Sequence, residues 1–219
     1  MKIRTAARIA GALVVSVLAT GCATQASYDY SAFQRNRPAS ILILPPVNDS
    51  TSAKASYGMM SQMTLPLAES GYYVMPVTLV DETFRQNGLS NPAEIESVPV
   101  AKLREIFGAD AALYVRVKTY GTSYAVISSV TTVTADGRLI DLRTGDKLWE
   151  GTATANDGGG ASANAGLIGM LVQALVNQIV ASTTDKSHDI AGLTSVNLLM
   201  AGRPGGMLFG PRSPKYQSE

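Results

Sequence analysis

An apolar run that ends at the chain's single cysteine sets the first limit on what this sequence can fold into. Lys2, Arg4 and Arg8 form a basic front, residues 9–20 are apolar or small, and Thr20-Gly21 lead into Cys22. No acidic side chain occurs before Asp29. A basic front, a short apolar core and small residues before a cleavage point are the three parts of a signal peptide. The run is shorter than the ~20 residues a membrane-spanning helix needs. Residues 1–21 are therefore expected to be removed before the domain folds. With one cysteine, no disulfide can form within the chain, so the fold must rest on its core.

Gly21-Cys22 after such a run resembles the lipobox of bacterial lipoproteins, in which the new N-terminal cysteine is acylated. The commonest lipobox has leucine three positions before the cysteine; here that position is Ala19, with Leu18 one step earlier. The resemblance implies Cys22 as the lipidation site and the membrane as a partner through its acyl chains. Each buried methylene contributes about 0.8 kcal/mol and one chain alone holds marginally, so a multi-chain anchor is close to permanent. Ala23 follows the cysteine, where aspartate resembles an inner-membrane retention signal, so the outer membrane is expected. The rival reading is a secreted protein cut at an Ala-x-Ala-like site. It leaves a lone free thiol in an oxidising compartment.

Without residues 1–21, the 18 basic side chains fall to 15 against 17 acidic, a formal charge of −2. A near-neutral mature chain lacks the basic stripe that nucleic acid requires, so no nucleic-acid partner is expected. The length suits one sizeable core.

Residues 22–38 read as a lipidated tether, small and polar with Tyr28, Tyr30 and Phe33 interspersed. The sixteen residues that follow Cys22, extended, span up to about 55 Å. A single globular domain is expected over 39–201, followed by a Gly/Pro-rich C-terminal tail over 202–219. Ile41–Leu44 is a continuous apolar run stopped by Pro45-Pro46, as in a strand buried on both faces. Asn48–Thr51 is turn and cap chemistry. A helix is predicted over 53–69, with Pro66 either kinking it or starting a second one. A short strand at 72–76 and helices at 77–86 and 100–107 follow, the last ended by Gly108.

The second half changes character. Leu113, Val115, Val117 and Thr119 alternate with Tyr114, Arg116, Lys118 and Tyr120, a half-buried strand. Residues 124–134 read as its partner. Strands at 138–142 and 147–154 flank Arg143-Thr144-Gly145-Asp146, a hairpin signature. A Gly/Ala/Ser/Asn loop runs over 156–166 and a long helix over 167–183. Strands separated by helices pair in parallel and the later hairpins antiparallel. The expected fold class is α+β: one mixed sheet, parallel strands first, antiparallel hairpins after, with flanking helices.

The chemistry-bearing residues are few. His188 is the only histidine, in the polar stretch 185–189, and reads as a solvated loop or helix end rather than a catalytic base. The loop from Asn156 to Ser162 precedes a helix, as anion-binding loops do. It lacks the Gly-Lys-Ser/Thr and Gly-x-Gly-x-x-Gly patterns, and a connector is the better reading. Met59, Met60 and Met63 share a helix; thioethers can hold Cu(I), but core packing is far commoner. Leu167, Leu171, Leu175 and Ile179 form one wide apolar helix face, expected to pack on the sheet or to serve as a partner interface. No catalytic residue, metal or cofactor is expected. An enzyme would need an acid pair such as Asp141 and Glu150 held in a cleft. The C-terminal segment from Gly202 to Tyr216 mixes Pro, Gly, basic and aromatic residues, suiting either a docking peptide or a disordered tail.

Residues 71–77 (Gly-Tyr-Tyr-Val-Met-Pro-Val), 107–111 (Phe-Gly-Ala-Asp-Ala), 141–149 (Asp-Leu-Arg-Thr-Gly-Asp-Lys-Leu-Trp) and 210–216 (Gly-Pro-Arg-Ser-Pro-Lys-Tyr) together resemble a bacterial lipoprotein family of unknown function, of the meningococcal vaccine-candidate antigen type. The resemblance covers nearly the whole mature chain. The family is similar in fold to the TolB N-terminal domain and to curli-secretion lipoproteins. It implies an assembly with other envelope lipoproteins, including a curli-secretion type, and supplies no catalytic residues. The expected function is that of an outer-membrane-anchored, periplasm-facing, non-enzymatic component of an envelope or export assembly. The alternative is a transport accessory that binds a small ligand or peptide. A deep polar pocket would favour the second, a flat apolar surface the first.

Overall fold

The computed structural model describes residues 28–124, 129–158 and 185–216. In chain order the elements are α1 (Ser31–Asn36), β1 (Ser40–Ile43), β2 (Val47–Asn48), α2 (Ala55–Glu69), β3 (Tyr73–Val74), α3 (Val77–Gln86), α4 (Pro92–Glu96), α5 (Val100–Phe107), β4 (Ala111–Tyr124), β5 (Ser129–Asp141), β6 (Lys147–Asn156) and α6 (Lys186–Leu199). The class is α+β, with one mixed sheet in the order β3-β1-β4-β5-β6, and β2 also paired to β4. β1, β2 and β3 enter in parallel, and β4, β5 and β6 form antiparallel pairs.

The two ends of this sheet are covered differently, and that difference positions everything else. At the parallel end both faces are dry. Ile41 and Ile43 point into a core shared with Met59, Met63 and Leu67 of α2. Leu42 and Leu44 point the other way, against Val80 and Phe84 of α3, Ile95 of α4 and Leu103 of α5. A strand wet on neither face has no polar phase to show, which is why Ile41–Leu44 reads as an unbroken apolar run. At the antiparallel end, among the described residues, α6 covers one face, so β5 and β6 alternate. Ala135, Leu139, Trp149 and Ala153 point inward, while Asp136, Arg138, Glu150 and Thr152 line the opposite surface.

Several expectations are corrected. The alternation in β4 does not continue to Tyr120 in phase. A register shift between Val117 and Thr119 resets it. Tyr120 thus joins the buried side with Val117 and Val115, and Thr119 is exposed. A one-residue bulge reverses every later side chain. The strands expected at 124–134 and 138–142 are one strand, β5, and Tyr124 belongs to β4. α2 runs unbroken through Pro66. α4 and α6 are additional helices. α6 is buried through Ile190, Ala191, Leu193, Thr194, Ser195, Leu198 and Leu199.

Residues 28–38, expected as tether, are part of the domain. Phe33 of α1 is buried in the main core, with Tyr28 and Tyr30 packed against it. Aromatic side chains gain too much from burial to remain in a solvated linker. Residues 202–216 have no helix or strand, as expected, but they are no loose tail. Three aromatic donors fasten their backbone. Trp149 Nε1 donates to the Gly205 carbonyl at 3.0 Å, the Tyr30 hydroxyl to Gly206 at 2.6 Å, and the Tyr72 hydroxyl to Leu208 at 2.6 Å. Met207 is buried beneath this strap. Beyond it, Gly210 N–H donates to the Ser70 carbonyl and Arg212 N–H to that of Gly71. Gly71 has φ +94°, and a Cβ on Gly210 would lie 2.6 Å from the Gly71 oxygen, so both positions need glycine.

Candidate functional site

Among the described residues, no helix packs on the outer face of β4, β5 and β6 at the antiparallel end, beyond α4 and α5. A shallow groove of about 260 Å³ lies there, walled by Glu96 at the end of α4 and floored by Tyr114, Arg116, Asp136, Arg138, Glu150 and Thr152. Cross-strand register builds it, because Tyr114 pairs with Arg138, Arg138 with Glu150, and Arg116 with Asp136. Glu96 bridges two guanidinium groups, accepting from Arg116 Nη2 at 3.0 Å and from Arg138 Nη2 at 2.6 Å. Arg116 Nη1 also donates to Asp49 at 3.0 Å. Arg138 lies 5.7 Å from the centre of the Tyr114 ring.

Asp136 is held by Lys118 and by the Thr152 hydroxyl, which donates at 2.8 Å. Burial pushes its carboxyl up, but these two donors outweigh it and leave the group below the ordinary carboxylate value. These ion pairs are partly solvated. Each contributes at most about 1 kcal/mol, and more only as a network. The charges satisfy one another, so the surface is ordered and directional, but smaller than the ~300–1,000 Å³ of a typical small-molecule site.

Large apolar side chains are exposed on two helices. Tyr57 and Leu65 of α2 and Leu79 of α3 are 53%, 64% and 65% exposed. The Tyr57 hydroxyl lies 3.4 Å from Asp81 Oδ1, which brings the two helices together at this point. Contiguous exposed apolar side chains mark protein contacts, whereas single ones are ordinary surface.

The residues singled out from sequence are distributed as follows. Cys22 and the helix face of Leu167, Leu171, Leu175 and Ile179 lie outside the described residues. The Asn156–Ser162 loop is described only through Gly158. There Asp157 Oδ1 accepts from Thr131 N–H at 2.7 Å. Met59, Met60 and Met63 are buried in the core, where Ser195 Oγ lies 3.6 Å from Met59 Sδ. His188 lies at a helix end, the second of its two readings, in the first turn of α6, with its Nε2 2.7 Å from Gln62 Nε2. Among the described residues no group of three or more His, Cys, Asp or Glu side chains converges, and no helix is long and apolar enough to cross a membrane.

Asp141 and Glu150 have separate partners. The Asp141 carboxylate is fully buried in the hairpin turn. It accepts from Arg143 N–H at 2.7 Å, Thr144 N–H at 3.0 Å and Arg143 Nη2 at 2.7 Å. Glu150 faces solvent and pairs with Lys147. Sequence reasoning missed the Glu96–Arg116–Arg138 bridge. The polar phase of β4, with Arg116, was visible, but not that of β5 or the short helix that brings Glu96 over them.

The chain matches the model of the family described as "Putative lipoprotein GNA1162-like" over residues 28–212. It is 46% identical over 190 residues to "Putative lipoprotein NMB1124/NMB1162" of Neisseria meningitidis serogroup B, covering 87% of this chain and 88% of that one. The crystal structure of lipoprotein GNA1162 from Neisseria meningitidis overlays with a TM-score of 0.55 at 51% identity, covering 66% of this chain and all of that one. The LpoB C-terminal domain from Salmonella enterica overlays with a TM-score of 0.40 at 17% identity, over 53% of this chain and 81% of that one.

Proposed function

The chain belongs to the GNA1162-like lipoprotein family, and from that premise we propose that it is a non-enzymatic component of an envelope or export assembly. In this reading Cys22 carries the lipid, the outer membrane holds it, the domain faces the periplasm, and the partners are other envelope lipoproteins, including one of the curli-secretion type. The observation that carries the proposal is the exposure of three large apolar side chains on two helices that meet, Tyr57 and Leu65 of α2 and Leu79 of α3. A lipid-anchored domain confined to a surface meets its partners at high local concentration, so a modest apolar contact suffices to hold an assembly.

The anchor has its own test. Cys22→Ala is expected to move the protein from the membrane to the soluble fraction on fractionation of cells; retention in the membrane fraction contradicts the lipid attachment. For the contact, a photo-crosslinking residue at position 65 or 79 is expected to capture a discrete partner in intact envelopes, and one at Lys147 is not. Equal capture at all three positions, or none at 65 and 79, overturns the apolar surface as the contact.

The groove supports the second reading, a transport accessory binding a small ligand or peptide. It ranks behind the first because Arg116 and Arg138 are already engaged by Glu96 and Asp49, so a ligand has to displace ion pairs to enter.

A further inference from the structure

Two segments far apart in sequence meet on one surface, and both are basic. Residues 30–48 carry Arg35 and Arg37 and no acidic side chain; residues 190–218 carry Arg203, Arg212 and Lys215 and again no acidic one. The C-terminal strap brings them together beside the short edge strand β3. Tyr73 N–H donates to the Ala39 carbonyl at 3.0 Å, and Arg212 N–H to that of Gly71 at 3.1 Å. Next to these, Phe33, Arg37 and Pro38 line a small hollow with Leu208, Phe209 and Tyr216.

The cations of this surface rest on rings. The Arg37 guanidinium lies 5.9 Å from the centre of the Tyr216 ring, that of Arg212 5.2 Å from Tyr73, and the Lys215 ammonium 5.5 Å from Phe209. Among the described residues neither Arg37 nor Arg212 forms an ion pair, whereas the groove arginines are held by Glu96. Carboxylates of the adjoining segments are directed elsewhere. Asp110 accepts from Ala39 and Ser40 N–H, at 3.0 and 3.2 Å, and pairs with Arg104. Asp146 accepts from the Asn36 side chain and Asp29 from Ser31 N–H. Glu69, at the end of α2, pairs with neither arginine. A guanidinium stacked by its face keeps its in-plane N–H fork for a carboxylate; Arg37 gives its Nε to the Gln34 carbonyl.

Arg37 is also placed where arginine is strained. It closes α1 at φ +40°, the only non-glycine residue at positive φ among the described residues. Glycine is the usual residue at that position. A strained backbone under an exposed charged side chain points to a use for the side chain. The hollow beside it holds about 70 Å³, roughly two waters at ~30 Å³ each, which suits the tip of one apolar side chain. A bilayer surface has no side chain to place there, and a protein segment has.

We propose that Arg37 and Arg212, with the hollow beside Tyr216, dock a segment of a protein partner that presents an aspartate or glutamate next to an apolar residue. The carboxylate meets the guanidinium forks and the apolar side chain enters the hollow. Arginine and tyrosine are the residues that dominate protein contacts. This rests on the assembly reading and gives it a second contact, on elements other than those of Tyr57, Leu65 and Leu79.

The test places a photo-crosslinking residue at position 34, whose native Gln34 is exposed at the mouth of the hollow, in the lipidated full-length protein within intact envelopes, alongside those at 65 and 79. The expected result is one discrete protein adduct whose crosslinked segment, read by mass spectrometry, carries Asp or Glu beside an apolar residue. Arg37→Gln with Arg212→Gln is expected to lower its yield about tenfold or more. Arg37→Lys with Arg212→Lys keeps the charge and is expected to retain a substantial part of the yield. No loss with glutamine, or a loss as complete with lysine, overturns the proposal, as does a captured segment without Asp or Glu. An adduct to lipid alone makes the surface a bilayer contact, and one to residues 217–219 of the same chain shows it filled from within; either overturns it. Adducts at 65 or 79 with none at 34 sink this surface while the assembly stands. No adduct at any of the three removes the assembly reading as well.

Discussion

Trp149→Ala is expected to lower the unfolding free energy by about 4 kcal/mol, the range of a large aromatic removed from a closed core. The indole lies over two glycines that face each other across β5 and β6. A Cβ on Gly151 would come within 2.4 Å of a ring carbon, and one on Gly137 within 3.3 Å. The slot has no side chain that could relax into the vacated space from those two positions. The same residue fastens the C-terminal strap through Gly205. Trp149→Phe separates the two roles: it keeps most of the packing and loses the N–H donor, at about 1 kcal/mol. Urea unfolding reads the first effect, and limited proteolysis within residues 202–216 reads the second. A Trp149→Ala loss below about 1 kcal/mol on the urea curve would mean that the slot is not a principal element of the core.

Asp141→Ala is the second large effect, about 3 kcal/mol, because it strands the Arg143 and Thr144 N–H groups and half-frees a guanidinium. Arg143 Nη2 also donates to the Asn36 carbonyl, so the loss propagates to α1. The pH dependence has a definite sign. Burial pushes the Asp141 carboxyl up, but the Arg143 side chain and the N–H groups of Arg143 and Thr144 outweigh it and hold the group below its ordinary value of 3.8. A carboxyl depressed in the folded state contributes stability that is complete above the unfolded value. That stability is lost as pH falls through the folded one. Asp136 acts with the same sign. Stability is therefore expected to be level from neutral pH down to about 4 and to fall below it. Asp141→Asn is expected to flatten that fall, and an unchanged acid slope in the variant would contradict the assignment.

Much of this architecture can be read from the sequence, and the parts that cannot share a cause. Local signals hold: the unbroken run at Ile41–Leu44, the Arg-Thr-Gly-Asp turn, Gly108 in the left-handed conformation at the end of α5, and helix α3 over Val77–Gln86. α6 was illegible because its buried face is partly small and polar. Thr194 satisfies its hydroxyl on the Ile190 carbonyl, at 2.9 Å, and Ser195 rests on Met59. Gly192 lets the helix approach Gln62 of α2, where a Cβ would meet the amide oxygen at 3.1 Å. Such a helix shows no wide apolar stripe, since close approach takes the place of large side chains.

The N-terminal segment and the strap were misread for a different reason. Their order depends on Tyr30, Tyr72 and Trp149 reaching carbonyls more than fifty positions away along the chain, and composition carries no trace of that pairing. The candidate surfaces are legible in parts only. The polar phase of β4 announces Arg116, but the bridging Glu96 sits on a five-residue helix that no periodicity marks.

The central claim is that this lipoprotein works as part of an assembly. Its most direct test is affinity purification of the tagged, lipidated protein from detergent-solubilised envelopes, with the recovered proteins quantified by mass spectrometry. The account predicts one or more other lipoproteins, or a transporter, in near-equal amount. Recovery of this chain alone, as a monomer, would contradict it and move the search to ligands of the charged groove.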